Sequence, residues 1–274
     1  MKGKVCLVTG ATGSLGKATA MALAQLGAKV VLACRDQERG ETVRANIISA
    51  TSNSDVELML LDLSSQQSIR QMSAAFGEKH DRLDVLIHNA AVYKSQRTIT
   101  ADRLEMMFAT NHIGAFLLTN LLLDKLKASV PARILIITAP STTPLDFDNL
   151  QSQKHFNSLQ AFGISKMCNL LFTYELARRL DGTGVTVNAV HPGLIKSNLM
   201  NEAPLIMRWI TQLVSIKPEK AAASLAYLAS SPEVALVTGK FLKDGKEIES
   251  NQYSHDQNIQ QRLWDVSAAL TKSP

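Results

Sequence analysis

The chain reads as short, continuously apolar runs alternating with longer stretches of helical periodicity. The runs are Val5–Val8, Val30–Ala33, Leu58–Leu61, Val85–Ile87, Ile134–Ile137 and Val185–Ala189. Unbroken apolar runs of this length are the pattern of strands buried on both faces. Between them lie Leu15–Leu26, Arg39–Ala50, Ser65–Glu78, Ala101–Lys127 and Ile164–Leu180, each spaced for a helix. A last strand, Gly239–Leu242, follows a helical stretch at Glu219–Ala229. This alternation predicts an α/β fold, a doubly wound parallel sheet with helices on both faces. Ligands of such a sheet bind beyond the carboxyl ends of its strands.

Composition narrows the class. A length of 274 residues suits a single domain, 1–274, and no proline or glycine cluster, repeat or low-complexity segment divides it. With 46% hydrophobic and 19% charged residues the chain can fill a core. The net charge is +5, but basic residues are interleaved with acids. That excludes a nucleic-acid-binding face and leaves room for a local phosphate site. Cys6, Cys34 and Cys168 lack metal-like spacing and sit in apolar surroundings, as reduced thiols of a cytoplasmic protein do. The six histidines are dispersed, so no metal is expected. Met1 runs almost directly into the first strand, which leaves no room for a signal peptide. No apolar stretch reads as long and uninterrupted enough to span a membrane. A monomer or homodimer is expected.

The candidate chemistry falls at strand ends. The first strand runs into Thr9-Gly10-Ala11-Thr12-Gly13-Ser14-Leu15-Gly16. Glycines between a strand and a helix let the backbone approach a pyrophosphate, and the helix N-terminus offers N–H groups and the positive end of its dipole. Gly10, Thr12, Gly13, Ser14, Leu15 and Gly16 are the predicted cradle of a Rossmann-type dinucleotide site. The second strand ends in Ala33-Cys34-Arg35-Asp36. A carboxylate at that tip would bind the free 2′-hydroxyl of NAD; Arg35 instead matches a 2′-phosphate, so NADP(H) is the expected cofactor, with Lys17 and Arg39 as further phosphate contacts. Asp36 reads as the N-cap of the next helix.

These motifs resemble the short-chain dehydrogenase/reductase superfamily, and the resemblance extends over nearly the whole chain. The glycine run is similar to the family's Thr-Gly-x-x-x-Gly-x-Gly, with Ser14 at a glycine position; its hydroxyl is expected to cap the helix. Leu60-Leu61-Asp62-Leu63 resembles the segment whose aspartate meets the adenine amino group. Asn89-Ala90-Ala91 resembles the family's Asn-Ala-Gly, and Asn111 falls where an asparagine supports the catalytic lysine. His112 beside it reads as a core histidine rather than a general base. The similarity is greatest to the retinol-dehydrogenase-like branch, through Leu171–Leu180, Gly184–Gly193 and Arg262–Ser267. Asn89–Tyr93 and Ser165–Asn169 also look like light-dependent protochlorophyllide reductase, which reduces a carbon–carbon double bond.

The family's machinery is an asparagine, a serine, a tyrosine and a lysine. Asn111 and Lys166 are present, while Ala139 falls at the serine position and Phe162 at the tyrosine position. Each change removes one hydroxyl and disturbs little else. Two explanations stay open: an inactivated variant that holds substrate and cofactor, or a member that does other chemistry or only binds. Thr138, Ser141 and Tyr93 are candidate substitute hydroxyls, each with a plainer reading as a strand-end or loop residue. Pro192 and Gly193 resemble the turn beside the nicotinamide, and Ser197 falls where a carboxamide-binding threonine is common. A substrate lid is expected near 198–216. Its apolar residues, Leu199 and Trp209 among them, favour a hydrophobic carbonyl, alcohol or alkene, or peripheral contact with a membrane. Competing readings are a pseudoenzyme that binds NADP(H) or a lipophilic ligand, and a non-redox catalyst in an inherited pocket.

Overall fold

The computed structural model describes residues 1–196, 199, 202 and 215–272. Its strands are β1 (Val5–Thr9), β2 (Lys29–Cys34), β3 (Val56–Leu60), β4 (Val85–His88), β5 (Ala132–Ile137), β6 (Val185–Val190), β7 (Lys240–Lys243) and β8 (Lys246–Glu247). They form one sheet in the order β3-β2-β1-β4-β5-β6-β7-β8. Every pairing is parallel except the β7–β8 edge. The order reverses direction between β1 and β4, and that switch point opens the crevice in which such sheets bind dinucleotides.

The helices are α1 (Ser14–Gln25), α2 (Gln37–Thr51), α3 (Gln66–Lys79), α4 (Met106–Lys127), α5 (Ser158–Arg179), α6 (Pro218–Ser230) and α7 (Gln257–Thr271). Side chains alternate across the sheet. Cys6, Val8, Val30 and Leu32 pack with α1, α2 and α6; Leu7, Val31, Ile134 and Ile136 pack with α3, α4, α5 and α7. β1 is buried along its whole length, in keeping with its unbroken apolar sequence.

Several boundaries depart from the sequence pattern. The expected helix at Ala101–Lys127 begins only at Met106. Arg103 takes φ +61 in a tight turn, Ile99 bridges to Glu105, and the Glu105 carboxylate caps the Phe108 N–H at 2.7 Å. α5 begins earlier than its periodicity suggests, because the Asn157 side chain caps the N–H groups of Leu159 and Gln160 at 3.1 and 3.0 Å. α7, which the sequence pattern does not mark, lays Trp264 against Phe116 and Phe172. The Arg179 guanidinium covers the Trp264 ring at 4.0 Å. α4 corrects one expectation: by length and composition it is apolar enough to cross a membrane. In this fold 78% of its most apolar window is buried, as the core helix beneath the sheet.

Candidate functional site

The turn after β1 is built by close backbone approach. Gly10 has φ +64, and a Cβ there would stand 2.8 Å from the Ala90 Cα. A Cβ on Gly16 would stand 2.3 Å from the Gly10 carbonyl oxygen and 2.6 Å from Asn89 Nδ2. Only glycine fits either place. Asn89 Nδ2 donates to the carbonyls of Thr9 and Gly10 at 3.0 and 3.2 Å, while Thr9 Oγ1 accepts from the N–H groups of Asn89 and Ala90 at 3.0 and 3.1 Å. Asn89 and Ala90 thus form the wall that shapes the loop. Gly13 is the N-cap of α1, and no side chain caps it. The expectation for Ser14 is corrected: it is the first helical residue, and an N-cap hydroxyl needs the non-helical backbone that Gly13 already supplies. Thr12, Gly13, Ser14 and Leu15 line this turn and the opening of α1, and a helix N-terminus of this kind offers N–H groups to an anion.

Arg35 is exposed just past the end of β2. Asp36 caps α2 through the Arg39 N–H at 3.0 Å, as expected. Arg39 Nη2 reaches back to the Thr12 carbonyl at 3.5 Å, which brings a second guanidinium to the glycine loop. Asp62 Oδ1 accepts from the Ser64 N–H and Oγ at 2.9 and 2.7 Å, and this folds the loop after β3. Leu63 is buried against Gly114 of α4, where a Cβ would meet the Leu63 oxygen at 2.5 Å.

α4 contains a π-helical turn, Ala109–Ile113, which the residue pattern does not reveal. Asn111 sits in it. Its Nδ2 donates to the Val92 carbonyl and to Ser165 Oγ, both at 3.0 Å, and its Oδ1 accepts from the Val92 N–H at 2.8 Å. Asn111 therefore ties the loop after β4 to α5. Along α5, Phe162 and Lys166 are four residues apart and share a face. The Lys166 ammonium lies 5.2 Å from the centroid of the Phe162 ring. Burial leaves Lys166 6% exposed and lowers its pKa to about 8. Ala139 follows the end of β5 and is half-buried.

The candidate substitute hydroxyls are engaged elsewhere. Thr138 Oγ1 donates to the Lys166 carbonyl at 2.9 Å, Ser141 Oγ to the Gly163 carbonyl at 2.8 Å, and the Tyr93 hydroxyl to Ser158 Oγ at 2.8 Å. Tyr93 presents its ring edge-on to Phe162 at 5.6 Å. His112, on the same π turn as Asn111, points into the core. Its Nε2 meets Ser267 Oγ of α7 at 2.8 Å, and burial lowers its pKa to about 3. His88 is likewise buried, against Thr119 at 2.7 Å, with its pKa lowered to about 3.

Beyond β6, Gly193 turns the chain at φ +81 beside Ile216. Ile195 bridges to Ile216, and the Ile216 N–H donates to the Leu194 carbonyl at 2.7 Å, so the two ends of the expected lid are joined at its base. Ser197 and most of Asn198–Val214 lie outside the described residues. Leu199 packs on an apolar cluster of Tyr93, Met107, Ala161 and Phe162. Glu202 accepts from Lys94 Nζ at 2.5 Å and from the Ser95 N–H at 3.2 Å. Met107, Ala161 and Phe156 belong to this apolar wall, and the sequence pattern does not mark them because they meet only in the fold. Among the described residues no cluster of histidine, cysteine and acidic groups could hold a metal.

The pattern of the short chain dehydrogenase family matches residues 4–205. Human retinol dehydrogenase 11 is 42% identical over 279 aligned residues, covering 100% of this chain and 87% of that protein. Mouse retinol dehydrogenase 14 is 40% identical over 288, covering 98% and 86%. Among solved structures, an uncharacterized protein from Mycobacterium paratuberculosis superposes with a TM-score of 0.80 at 29% identity, covering 99% of this chain and 94% of that one. A Pseudomonas aeruginosa RhlG complex with NADP, at TM-score 0.72 and 24% identity, covers 93% of this chain and 97% of that one and shares the fold.

Proposed function

This chain belongs to the short-chain dehydrogenase family, and we propose that it is an NADP(H)-dependent oxidoreductase scaffold for a lipophilic carbonyl, alcohol or alkene, with the proton-relay hydroxyls missing. The observation that carries this reading is the frame around Phe162. Asn111 is bonded to Ser165, the Lys166 ammonium lies over the Phe162 ring, and the serine and tyrosine hydroxyls are gone. Arg35, with Arg39 next to the loop, supports the phosphorylated cofactor over NAD. The apolar cluster of Tyr93, Met107, Ala161, Phe162 and Leu199 supports a hydrophobic substrate, and the retinol dehydrogenase relatives support a long allylic alcohol or its aldehyde. The three cysteines are free and buried, which suits a reducing, cytoplasmic setting.

The division of labour follows. The bound cofactor supplies or accepts hydride. Gly10–Gly16 hold the pyrophosphate, Arg35 and Arg39 the 2′-phosphate, and Lys166 the nicotinamide ribose. Phe162 and its apolar neighbours orient the substrate and exclude water. Proton delivery lacks its usual phenol, so turnover is slow.

The test is NADPH oxidation against lipophilic aldehydes, ketones and activated alkenes by the unmodified chain, Phe162→Tyr, Ala139→Ser and the double variant. Restoring the phenol should raise the rate about 10²–10⁴-fold, with Ala139→Ser alone recovering less. Fast turnover by the unmodified chain, unimproved by the double change, would overturn this reading of the site.

A further inference from the structure

The loop between β5 and α5, residues 138–157, leaves the sheet at the carboxyl ends of its strands, where ligands of this fold bind. Its first part lies on the turn of α5 that carries Phe162. Ser141 Oγ donates to the Gly163 carbonyl at 2.8 Å and accepts from the Thr143 N–H at 3.3 Å. A Cβ on Gly163 would stand 2.5 Å from Thr143 Oγ1, so the loop meets the helix backbone one residue beyond Phe162. Its last part brings Phe156 onto the cluster of Tyr93, Met107 and Ala161 against which Phe162 and Leu199 also pack. The loop is therefore one wall of the apolar site.

The middle of this wall is held from the far end of the chain. Leu145 is buried, and its backbone groups need partners. One phenol serves both: the Leu145 N–H donates to the Tyr253 hydroxyl at 3.0 Å, and that hydroxyl donates to the Leu145 carbonyl at 3.4 Å, across 108 positions of sequence. Two residues on, the Arg262 guanidinium covers the Phe147 ring at 4.2 Å. Tyr253 stands on the short turn Gln252–His255, between β8 and α7. That turn is fastened to α5 in its own right. Ser250 Oγ meets the Tyr174 hydroxyl of α5 at 2.7 Å, Ser254 Oγ at 2.7 Å and His255 Nε2 at 2.9 Å. The turn is thus a strut, with one foot on α5 and the other on the loop.

We infer that Tyr253 is a positioning residue for the substrate: its hydroxyl fixes residues 141–145 over Gly163 and so sets the fit of the apolar site beside Phe162. The inference rests on the oxidoreductase reading above. Tyr253 acts through Leu145 and the loop, not by touching the reacting atoms.

The packing separates this role from one in the cofactor site. The Tyr253 ring packs on the cluster that holds Leu145, Ile164 and Leu263, so the ring serves the core while the hydroxyl serves the loop. Without the hydroxyl, two backbone groups of a buried residue are left unpaired, and the loop must shift to bring them to water. The glycine cradle is built from β1 and the Asn89–Ala90 wall, which lie outside this chain of contacts. Loss of the hydroxyl therefore reaches the substrate wall and spares the dinucleotide.

The experiment uses Tyr253→Phe, which removes the hydroxyl and keeps the ring, in the unmodified chain and in the Ala139→Ser, Phe162→Tyr background. Arg262→Leu, which frees Phe147 and leaves Tyr253 in place, should move the same readouts in the same direction. The first readout is amide hydrogen exchange without substrate. Tyr253→Phe should speed exchange at 141–145 and leave β5 and α5 as they were. Unchanged exchange at 141–145 overturns the brace, and faster exchange throughout α5 makes the hydroxyl a general stabiliser and overturns the positioning role. The second readout is NADPH oxidation with decanal as the lipophilic aldehyde. The KM for decanal should rise about two- to tenfold, the worth of one neutral hydrogen bond, with kcat and the NADPH dissociation constant unchanged. A fall in kcat or in NADPH affinity with KM unchanged overturns the role. If exchange at 141–145 quickens and KM holds, the loop is braced but is not a substrate wall, and the inference falls while the oxidoreductase reading stands. Silence of every variant, the double restoration included, overturns that reading and the positioning role with it.

Discussion

Asn111 and Val92 hold each other by a reciprocal pair of bonds. The Asn111 amide donates to the Val92 carbonyl at 3.0 Å and accepts from its N–H at 2.8 Å. A backbone segment in a loop is thereby paired as though it lay in a sheet. Asn111→Leu should strand both Val92 groups and the Ser165 contact. The expected loss is about 1–3 kcal/mol of unfolding free energy by urea titration, with weaker NADPH binding, because the loop it holds leads out of the Asn89–Ala90 wall. Unchanged stability would show that water replaces the amide at no cost.

The two arginines make separable contributions to cofactor choice. Arg35 stands free at the tip of β2, whereas Arg39 is anchored on the Thr12 carbonyl. Charge-assisted bonds to phosphate are worth about 1.5–3 kcal/mol, so Arg35→Ala should weaken NADPH about tenfold or more and leave NADH unaffected. Calorimetric titration with both dinucleotides decides it. Equal losses for NADPH and NADH would mean the guanidinium meets a part common to both.

Two glycine substitutions should have opposite signs. Gly16→Ala drives a methyl onto the Gly10 oxygen at 2.3 Å and onto Asn89, so the cradle must open and dinucleotide binding should be lost. Gly77, inside α3, has only Lys125 Cε at 3.9 Å from its built Cβ. Gly77→Ala should stabilise the protein by about 0.5–1 kcal/mol through helix propensity. Melting temperatures of the two variants, measured beside NADPH titrations, test both halves.

Buried neutral histidines should make the fold acid-sensitive. The pKa of His112 is lowered to about 3 by burial, against an ordinary value near 6.5. A histidine depressed in the folded state contributes its full stability above about pH 6.5, and that contribution is lost as pH falls toward the folded value. Stability should therefore decline below about pH 6.5 with a slope of about 1.4 kcal/mol per pH unit for each such group. His112→Phe keeps an aromatic ring among Phe108, Phe116 and Phe172, and should flatten the decline by one group's share. Denaturation curves at pH 7.5, 6 and 5 would show it; identical pH dependence in the variant would place the acid sensitivity elsewhere.

The sheet and its crevice were legible in the chain itself. Unbroken apolar runs such as Val30–Ala33 specify strands covered on both faces, and the glycine spacing after β1 specifies a turn that only a close ligand or wall explains. The missing hydroxyls of Ala139 and Phe162 are also facts of sequence. What the tertiary structure decided is what the remaining groups do. Gly13, not Ser14, caps α1, because capping depends on backbone angles that spacing does not encode. The π turn at Asn111, the hydrogen bonds that occupy Thr138, Ser141 and Tyr93, and the packing of His112 on Ser267 of α7 join residues between 19 and 155 positions apart. The burial that lowers the pKa of Lys166 comes from the same source. Periodicity reports only on neighbours along an element, whereas desolvation and hydrogen bonding are set by whatever the fold brings across from another.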